Sequence, residues 1–413
     1  MPAPTATAAP TITPTPVPQS LADAPDLSTW VEDYVHAYEG KVTVNGAEMD
    51  ADQLTAAIRQ KPDEFTQTKL VNSEKYSFAI VNGIPLGFKS SDTDSWQKST
   101  LMQLASLQNI YIGTQIVHYE LNNPLYSKIA NNEFNFYLTN GELDWPARWI
   151  SENVFDYKAA DEIFTFAQNS NKPVHMYHLL DGQNIPDWLL NSTFTSEKYQ
   201  EIMRSRINSI MEKYKGKISL YSVVNEAFNW NKLKGFWYEK IGPNYIVEAF
   251  RTARKADAGA TLIYNDVNVS NGAIDGHENA VFKLVNDLKA QGILDGVGMQ
   301  MHVDGSTPFD AAKFLENLQR YKKAEIPVYI TEFDVDISQV TGDEAERQDV
   351  KAKIYQEALD SYLASGTGNS FCMFGFSSAV SWMPDADANI FDKNYQPQSS
   401  YYAVSKVLFA HIP

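Results

Sequence analysis

Eight short apolar runs recur between residues 109 and 378, and their spacing constrains the fold more than any other feature of the chain. They are NIYIGTQIV (109–117), FNFYLTNG (134–141), PVHMYHLL (173–180), LYSVVNEA (220–227), TLIYNDVNV (261–269), GVGMQMHV (296–303), PVYITEFDV (327–335) and SFCMFGFSS (370–378). Amphipathic helical stretches separate most of them, such as SEKYQEIMRSRINSIMEKYKG (196–216) and AVFKLVNDLKAQG (280–292). Eight strands alternating with helices predict an α/β chain closed into a (β/α)8 barrel, the TIM-barrel architecture. A doubly wound open sheet is the alternative. It prefers a glycine-rich loop after its first strand, and YIGTQIVHYE supplies no GxGxxG.

Polar residues gather where the strands end. Asn225 and Glu226 close the fourth run, Asn265 and Asp266 fall in the fifth, Gln300 and His302 in the sixth, Glu332 and Asp334 in the seventh. A carboxylate inside an apolar strand is costly, whereas the C-terminal ends of barrel strands form a mouth that carries function. Glu226 is therefore expected at the mouth. Glu332 is expected opposite it, on a strand facing the fourth across the ring. Two flanking carboxyl groups, one protonated and one ionised, are the apparatus that cleaves glycosidic bonds. Asn225 is placed to donate to a sugar hydroxyl, and a His302–Asp334 pair to orient Glu332. Either glutamate alone reads as an ordinary surface residue; the pair with its polar neighbours does not.

Composition narrows the partners. A net charge of −17 over 413 residues disfavours nucleic acid and anionic membranes, which need clustered Lys and Arg. It is compatible with a neutral polysaccharide or oligosaccharide. The single cysteine, Cys372, allows no internal disulfide and reads as a buried, inert thiol. The seven histidines show no HExxH or paired spacing, so neither metal nor cofactor is expected. No apolar run approaches the roughly 20 residues of a membrane-spanning helix, and a monomer is expected. The tract MPAPTATAAPTITPTPVPQS (1–20) reads as a Pro/Thr-rich spacer of an extracellular or surface-anchored protein, its export signal lying outside this sequence; a disordered cytoplasmic tail is the alternative. Residues 21–98 read as a small N-terminal module: LSTWVEDYVHAY and ADQLTAAIRQ are helical in period, and YSFAIVNGIPLGFK reads as two strands turning at Asn82-Gly83. Residues 99–413 are expected to form the barrel.

From about residue 104 to 409 the chain resembles glycoside hydrolase family 10, the retaining endo-β-1,4-xylanases. KYKGKISLYSVVNEAF is similar to that family's acid/base segment and PVYITEFDVDI to its nucleophile strand. EFNFYLTNGELDW, IPDWL, YNDVN, GMQMH and IFDKNYQPQSSYYAV follow in the family's order. The resemblance implies a general acid/base at Glu226 and a nucleophile at Glu332. It places Asn225 on the 2-hydroxyl of the sugar being cleaved and has His302, supported by Asp334, position Glu332. Glu142, Asn184, Asn265, Gln300 and Trp382 are implied to line the cleft, Trp382 as a sugar-stacking platform, with Tyr177 also on the substrate side.

Departures from the family pattern cluster. Gly141 and Asp144 stand where asparagine and lysine would hold sugar hydroxyls, Tyr177 replaces a histidine, and Asp181-Gly182 replace Trp-His. Val267 replaces a tyrosine and Phe374 a tryptophan. One reading is a changed or decorated β-glycan with room made by Gly141 and Gly182; another is drift around an unchanged substrate. A non-catalytic carbohydrate-binding relative is a third reading, against which both retained glutamates argue. For the N-terminal tract, deleting residues 1–20 is expected to leave the melting temperature and activity unchanged, because Pro-rich polar sequence buries nothing. A loss of several degrees would show that it packs on the rest.

Overall fold

The computed structural model describes residues 21–24, 26–38, 40–68, 76–92, 95–139, 141, 148–229, 232–267 and 276–412. The proposed spacer (1–20), Glu142 and Asp144 lie outside the described residues. The chain forms two compact units that divide between Ser99 and Thr100.

In the larger unit all eight apolar runs are strands: β1 (Tyr111–Gln115), β2 (Phe136–Leu138), β3 (Val174–Met176), β4 (Leu220–Asn225), β5 (Thr261–Val267), β6 (Gly296–Asp304), β7 (Val328–Asp336) and β8 (Ser370–Met373). Each pairs in parallel with its neighbours in sequence, and β8 pairs with β1, so the sheet closes. Closure leaves no edge to cover, and helices follow the strands, as in Ser196–Tyr214, Tyr245–Ala256, Ala311–Lys323 and Glu344–Ser365. Sequence-local caps start several of them. Thr195 accepts from the Lys198 N–H, and Asp343 with Glu346 forms a reciprocal capping box.

Phe136, Leu220 and Ile263 pack together inside the barrel with Tyr329 against them, and Leu138, Cys372 and Phe374 form a second cluster with Tyr177. His175 is buried with its Nε2 2.8 Å from Ser222 Oγ. Burial, with His178 nearby, pushes its pKa down to about 3, so it is a neutral core residue.

Strand register assembles the mouth. Asn225 pairs with Asn265 across β4–β5, while Gln300 pairs with Glu332 and His302 with Asp334 across β6–β7. Residues two apart on a strand share a face, so Gln300 and His302 project together, as do Glu332 and Asp334. One sequence expectation is corrected here. β4 and β7 do not face each other directly; β5 and β6 lie between them on the ring, and those two strands supply the groups that connect the glutamates.

Gly182 is a second correction. A Cβ added there would stand 3.3 Å from the Gly235 Cα, and Gly182 accepts from the Phe236 N–H at 3.1 Å. The loops after β3 and β4 touch at this pair of glycines, so Gly182 serves a close backbone approach and opens no space for a sugar substituent. Gly235 also has φ +89°, which a side chain would strain.

The smaller unit holds helices Leu27–His36 and Ala51–Gln60, a hairpin (Val42–Val44 with Ala47–Met49) and an antiparallel sheet of Thr66–Thr68, Tyr76–Val81, Ile84–Ser90 and Trp96–Lys98. Both helices and the Asn82-Gly83 turn fall where the sequence places them. Trp30 lies directly over Gly87 of the sheet, where any Cβ would collide with the indole. No helix among the described residues is long and apolar enough to cross a membrane.

The segment after β8 reaches the mouth at Trp382 and is anchored from below. Lys351, fully buried on the helix Glu344–Ser365, donates to the Asp387 carbonyl (2.7 Å), to Asp387 Oδ2 (3.1 Å) and to Gln398 Oε1 (2.7 Å). Lys351→Met removes one partner of this pair and strands the Asp387 charge. It is expected to destabilise the barrel by about 2–4 kcal/mol, reduced from the roughly 3–5 kcal/mol for breaking a fully buried pair because Asp387 keeps some contact with water. Thermal unfolding checks this, and an unchanged melting temperature would show that the anchor contributes nothing.

Candidate active site

Glu332 is 1% exposed, so its charge survives only if the surroundings supply hydrogen bonds. They do. Its Oε1 accepts from Asn265 Nδ2 (2.9 Å), and its Oε2 accepts from the Tyr177 hydroxyl (2.9 Å) and faces His302 Nε2 (3.2 Å). His302 Nδ1 is 2.9 Å from Asp334 Oδ1, and Asp334 Oδ2 accepts from the Trp382 indole at 2.8 Å. Burial lowers the His302 pKa, but hydrogen bonds to Asp334 and Glu332 together with their charges outweigh it and raise the value to about 10. The imidazole is therefore a cation at neutral pH, donating from one nitrogen to each carboxylate.

Glu226 is half-buried one residue past β4, with φ +45°. That left-handed backbone is uncommon for a residue other than glycine and concentrates at functional sites. Neighbouring bonds hold it: its own N–H donates to the Asn265 carbonyl (3.0 Å), and the Ala227 N–H donates to the Tyr264 hydroxyl (3.0 Å). Tyr264 in turn donates to buried Asp266. The Glu226 side chain accepts from Gln300 Nε2 at Oε1 (3.0 Å) and from Gln183 Nε2 at Oε2 (2.7 Å).

The two carboxylates are joined. Asn225 Oδ1 accepts from Asn265 Nδ2 (2.9 Å), which also serves Glu332, and from Gln300 Nε2 (3.1 Å), which also serves Glu226. Asn225 Nδ2 donates to Asp181 Oδ2 (3.0 Å), and the Thr331 hydroxyl donates to Asn265 Oδ1 (2.7 Å). Three buried amides thus span from one glutamate to the other, with Asn225 as the hub.

Of the residues singled out from sequence, Glu226, Glu332, Asn225, Asn265, Gln300, His302, Asp334, Tyr177 and Trp382 come together in this network. Trp382 is 55% exposed and presents its ring beside His302, the centroids 4.9 Å apart. Asn184 is exposed and joins through its backbone, donating its N–H to Asp181 Oδ1 at 3.0 Å. Glu142 falls outside the described residues. Asp181 is a buried acceptor for Asn225 and for the Gln183 and Asn184 N–H groups, so it supports the hub. Phe374 packs 5.3 Å from the His302 ring and 5.9 Å from Tyr177. Gln183 escaped sequence reasoning, because a glutamine in a polar loop carries no periodicity. Its proximity to Asp181 in the third-run loop was the one available signal. Among the described residues no cluster of His, Cys, Asp and Glu is arranged to hold a metal ion.

Comparison with known proteins identifies relatives of the chain. The model of glycosyl hydrolase family 10 matches residues 100–407. The endo-1,4-beta-xylanase B of Thermotoga neapolitana is 28% identical over 323 residues, covering 76% of this chain and 92% of that protein. The endo-1,4-beta-xylanase A of Caldicellulosiruptor sp. (strain Rt8B.4) is also 28% identical, but the match spans only 45% of that longer protein and 71% of this chain. The structure of xylanase 10B from Thermotoga petrophila RKU-1 in complex with xylobiose superposes with a TM-score of 0.72 at 30% identity, covering 77% of this chain and 99% of that one. The chain belongs to glycosyl hydrolase family 10.

Proposed function

We propose that this protein is a retaining endo-β-1,4-xylanase-type glycoside hydrolase in which Glu332 is the nucleophile and Glu226 the general acid/base. The observation that carries the reading is the amide chain joining the two carboxylates, Glu332–Asn265–Asn225–Gln300–Glu226. It holds a fully buried, multiply hydrogen-bonded carboxylate and a half-buried one at fixed relative positions. Double displacement needs that difference: one carboxyl stays ionised to attack, and the other exchanges a proton with leaving group and water. The xylanases to which the chain is similar supply the substrate class, a β-1,4-linked xylan or a related polysaccharide. Trp382 would offer its exposed face to a sugar ring. The Tyr177 hydroxyl is directed at Glu332 instead of outward to a sugar, which favours altered recognition on the non-reducing side of the cut.

Replacing Glu332 by Gln is expected to lower turnover on xylan by at least about 10⁴-fold, since the covalent step loses its nucleophile. The melting temperature should stay within a few degrees, because Gln keeps the side chain's size and packing: with its oxygen accepting from Asn265, its NH₂ donates to a Tyr177 hydroxyl turned to accept and to a His302 Nε2 that has lost its proton. Hydrolysis assays with a thermal melt check this, and substantial residual activity would remove Glu332 from the mechanism.

His302 yields a pH-dependent expectation. Its pKa is raised on folding from 6.5 to about 10, so its charge contributes stability that is complete below pH 6.5 and lost as pH rises through about 10. The stability difference between wild type and His302→Gln should therefore be largest near pH 6 and shrink steadily towards pH 10. Chemical unfolding at a series of pH values measures it. A difference that is flat or grows with pH would show that His302 is not held as a cation.

A further inference from the structure

Tyr177 is built to meet the nucleophile. Its N–H donates to Thr139 Oγ1 (3.0 Å), and its ring lies against His178, centroids 3.5 Å apart, and against the cluster of Leu138, Cys372 and Phe374. Packing on these sides aims the hydroxyl at Glu332 Oε2, 2.9 Å away. That oxygen also faces the His302 cation, whereas Oε1 accepts from Asn265. Two donors occupy Oε2, so Oε1 keeps the more available lone pair for attack.

Resting on the assignment of Glu332 as nucleophile, we propose that Tyr177 is a catalytic residue of the second half-reaction: its hydroxyl stabilises the Glu332 carboxylate as it leaves the glycosyl-enzyme. In the first half-reaction a lone pair of Glu332 forms a bond to the sugar's anomeric carbon. The bond to the leaving oxygen breaks, and that oxygen takes the proton of Glu226. In the second, Glu226 takes a proton from water as the water oxygen bonds to the anomeric carbon. As that bond forms the ester C–O bond breaks, and its electron pair returns to Glu332. Negative charge on Glu332 falls in the first step and grows in the second. A hydrogen bond to Oε2 favours the charged form, so Tyr177 restrains the first step and drives the second. Only an interaction stronger in a transition state than in its ground state accelerates that step. For Tyr177 that step is deglycosylation.

The test is Tyr177→Phe, which keeps the ring and its packing, assayed on a 2,4-dinitrophenyl β-xylobioside. The kcat is expected to fall by about 10- to 100-fold and KM to fall with it, leaving kcat/KM within about threefold of wild type. A pre-steady-state burst of dinitrophenol should appear, with a covalent xylobiosyl adduct on Glu332 accumulating at steady state by mass spectrometry. A parallel fall of kcat and kcat/KM without adduct would overturn the proposal and make Tyr177 a binding or packing residue. If the variant is less stable, reactivation of enzyme trapped with a 2-deoxy-2-fluoro-xylobioside reads deglycosylation on folded protein alone. Slower reactivation in the variant supports the proposal, and an equal rate overturns it. The same reagent on wild type tests the premise separately, because labelling anywhere but Glu332 would refute the nucleophile assignment whatever Tyr177 does.

Discussion

Everything at the barrel mouth depends on how one buried amide is oriented. Asn225 presents its oxygen to two N–H donors, Asn265 and Gln300, and its NH₂ to the Asp181 carboxylate. Flipping it would set donors against donors and oxygen against oxygen, so a single orientation is stable. Thr331 fixes Asn265 in the same way by donating to its oxygen. With both amides locked, each glutamate receives a donor whose direction is set by the other's surroundings. Strand pairing makes this possible, since Asn225 pairs with Asn265 and with Asp181, and Gln300 with Glu332.

Charge is managed on the same scaffold. Glu332 and Asp334 are both essentially buried on β7, and two carboxylates so close would repel without a cation between them. His302 supplies that cation, bonded to both, and its raised pKa is the consequence. Trp382 completes the line by donating to Asp334, and the Lys351 anchor holds the segment that carries it. Glu226, by contrast, is partly open and rests on two side-chain amides, one of them on an exposed loop residue, Gln183. The structure thus gives the two glutamates different environments, as acid and nucleophile chemistry requires.

The barrel was legible in the sequence because its strands are buried on both faces and so read as apolar runs, interrupted only where they reach the mouth. The same interruptions marked Asn225, Glu226, Asn265, Gln300, His302, Glu332 and Asp334. The barrel reading already places β5 and β6 between β4 and β7; what periodicity does not encode is the register by which Asn265 and Gln300 on those strands meet the two glutamates. Gly182 looked like a deletion of bulk, and only the approach of Gly235 from another loop reveals a packing role. Tyr177 was read by position as a sugar contact, yet its hydroxyl direction follows from ring packing on His178 and Phe374. Lys351 drew no reading from the sequence, and its burial follows from contacts with Asp387 and Gln398 in the segment after β8, far along the chain.

The central claim is that Glu226 and Glu332 act as a retaining pair, close enough that the nucleophile reaches the sugar without an intervening water. Its most direct test is the anomeric configuration of the first product, followed by proton NMR during hydrolysis of a xylo-oligosaccharide before mutarotation sets in. The β-anomer is expected to appear first and convert slowly to the equilibrium mixture. Initial appearance of the α-anomer would mean inversion, a wider carboxylate separation and a water held between them, and would contradict the assignment of Glu332 as nucleophile.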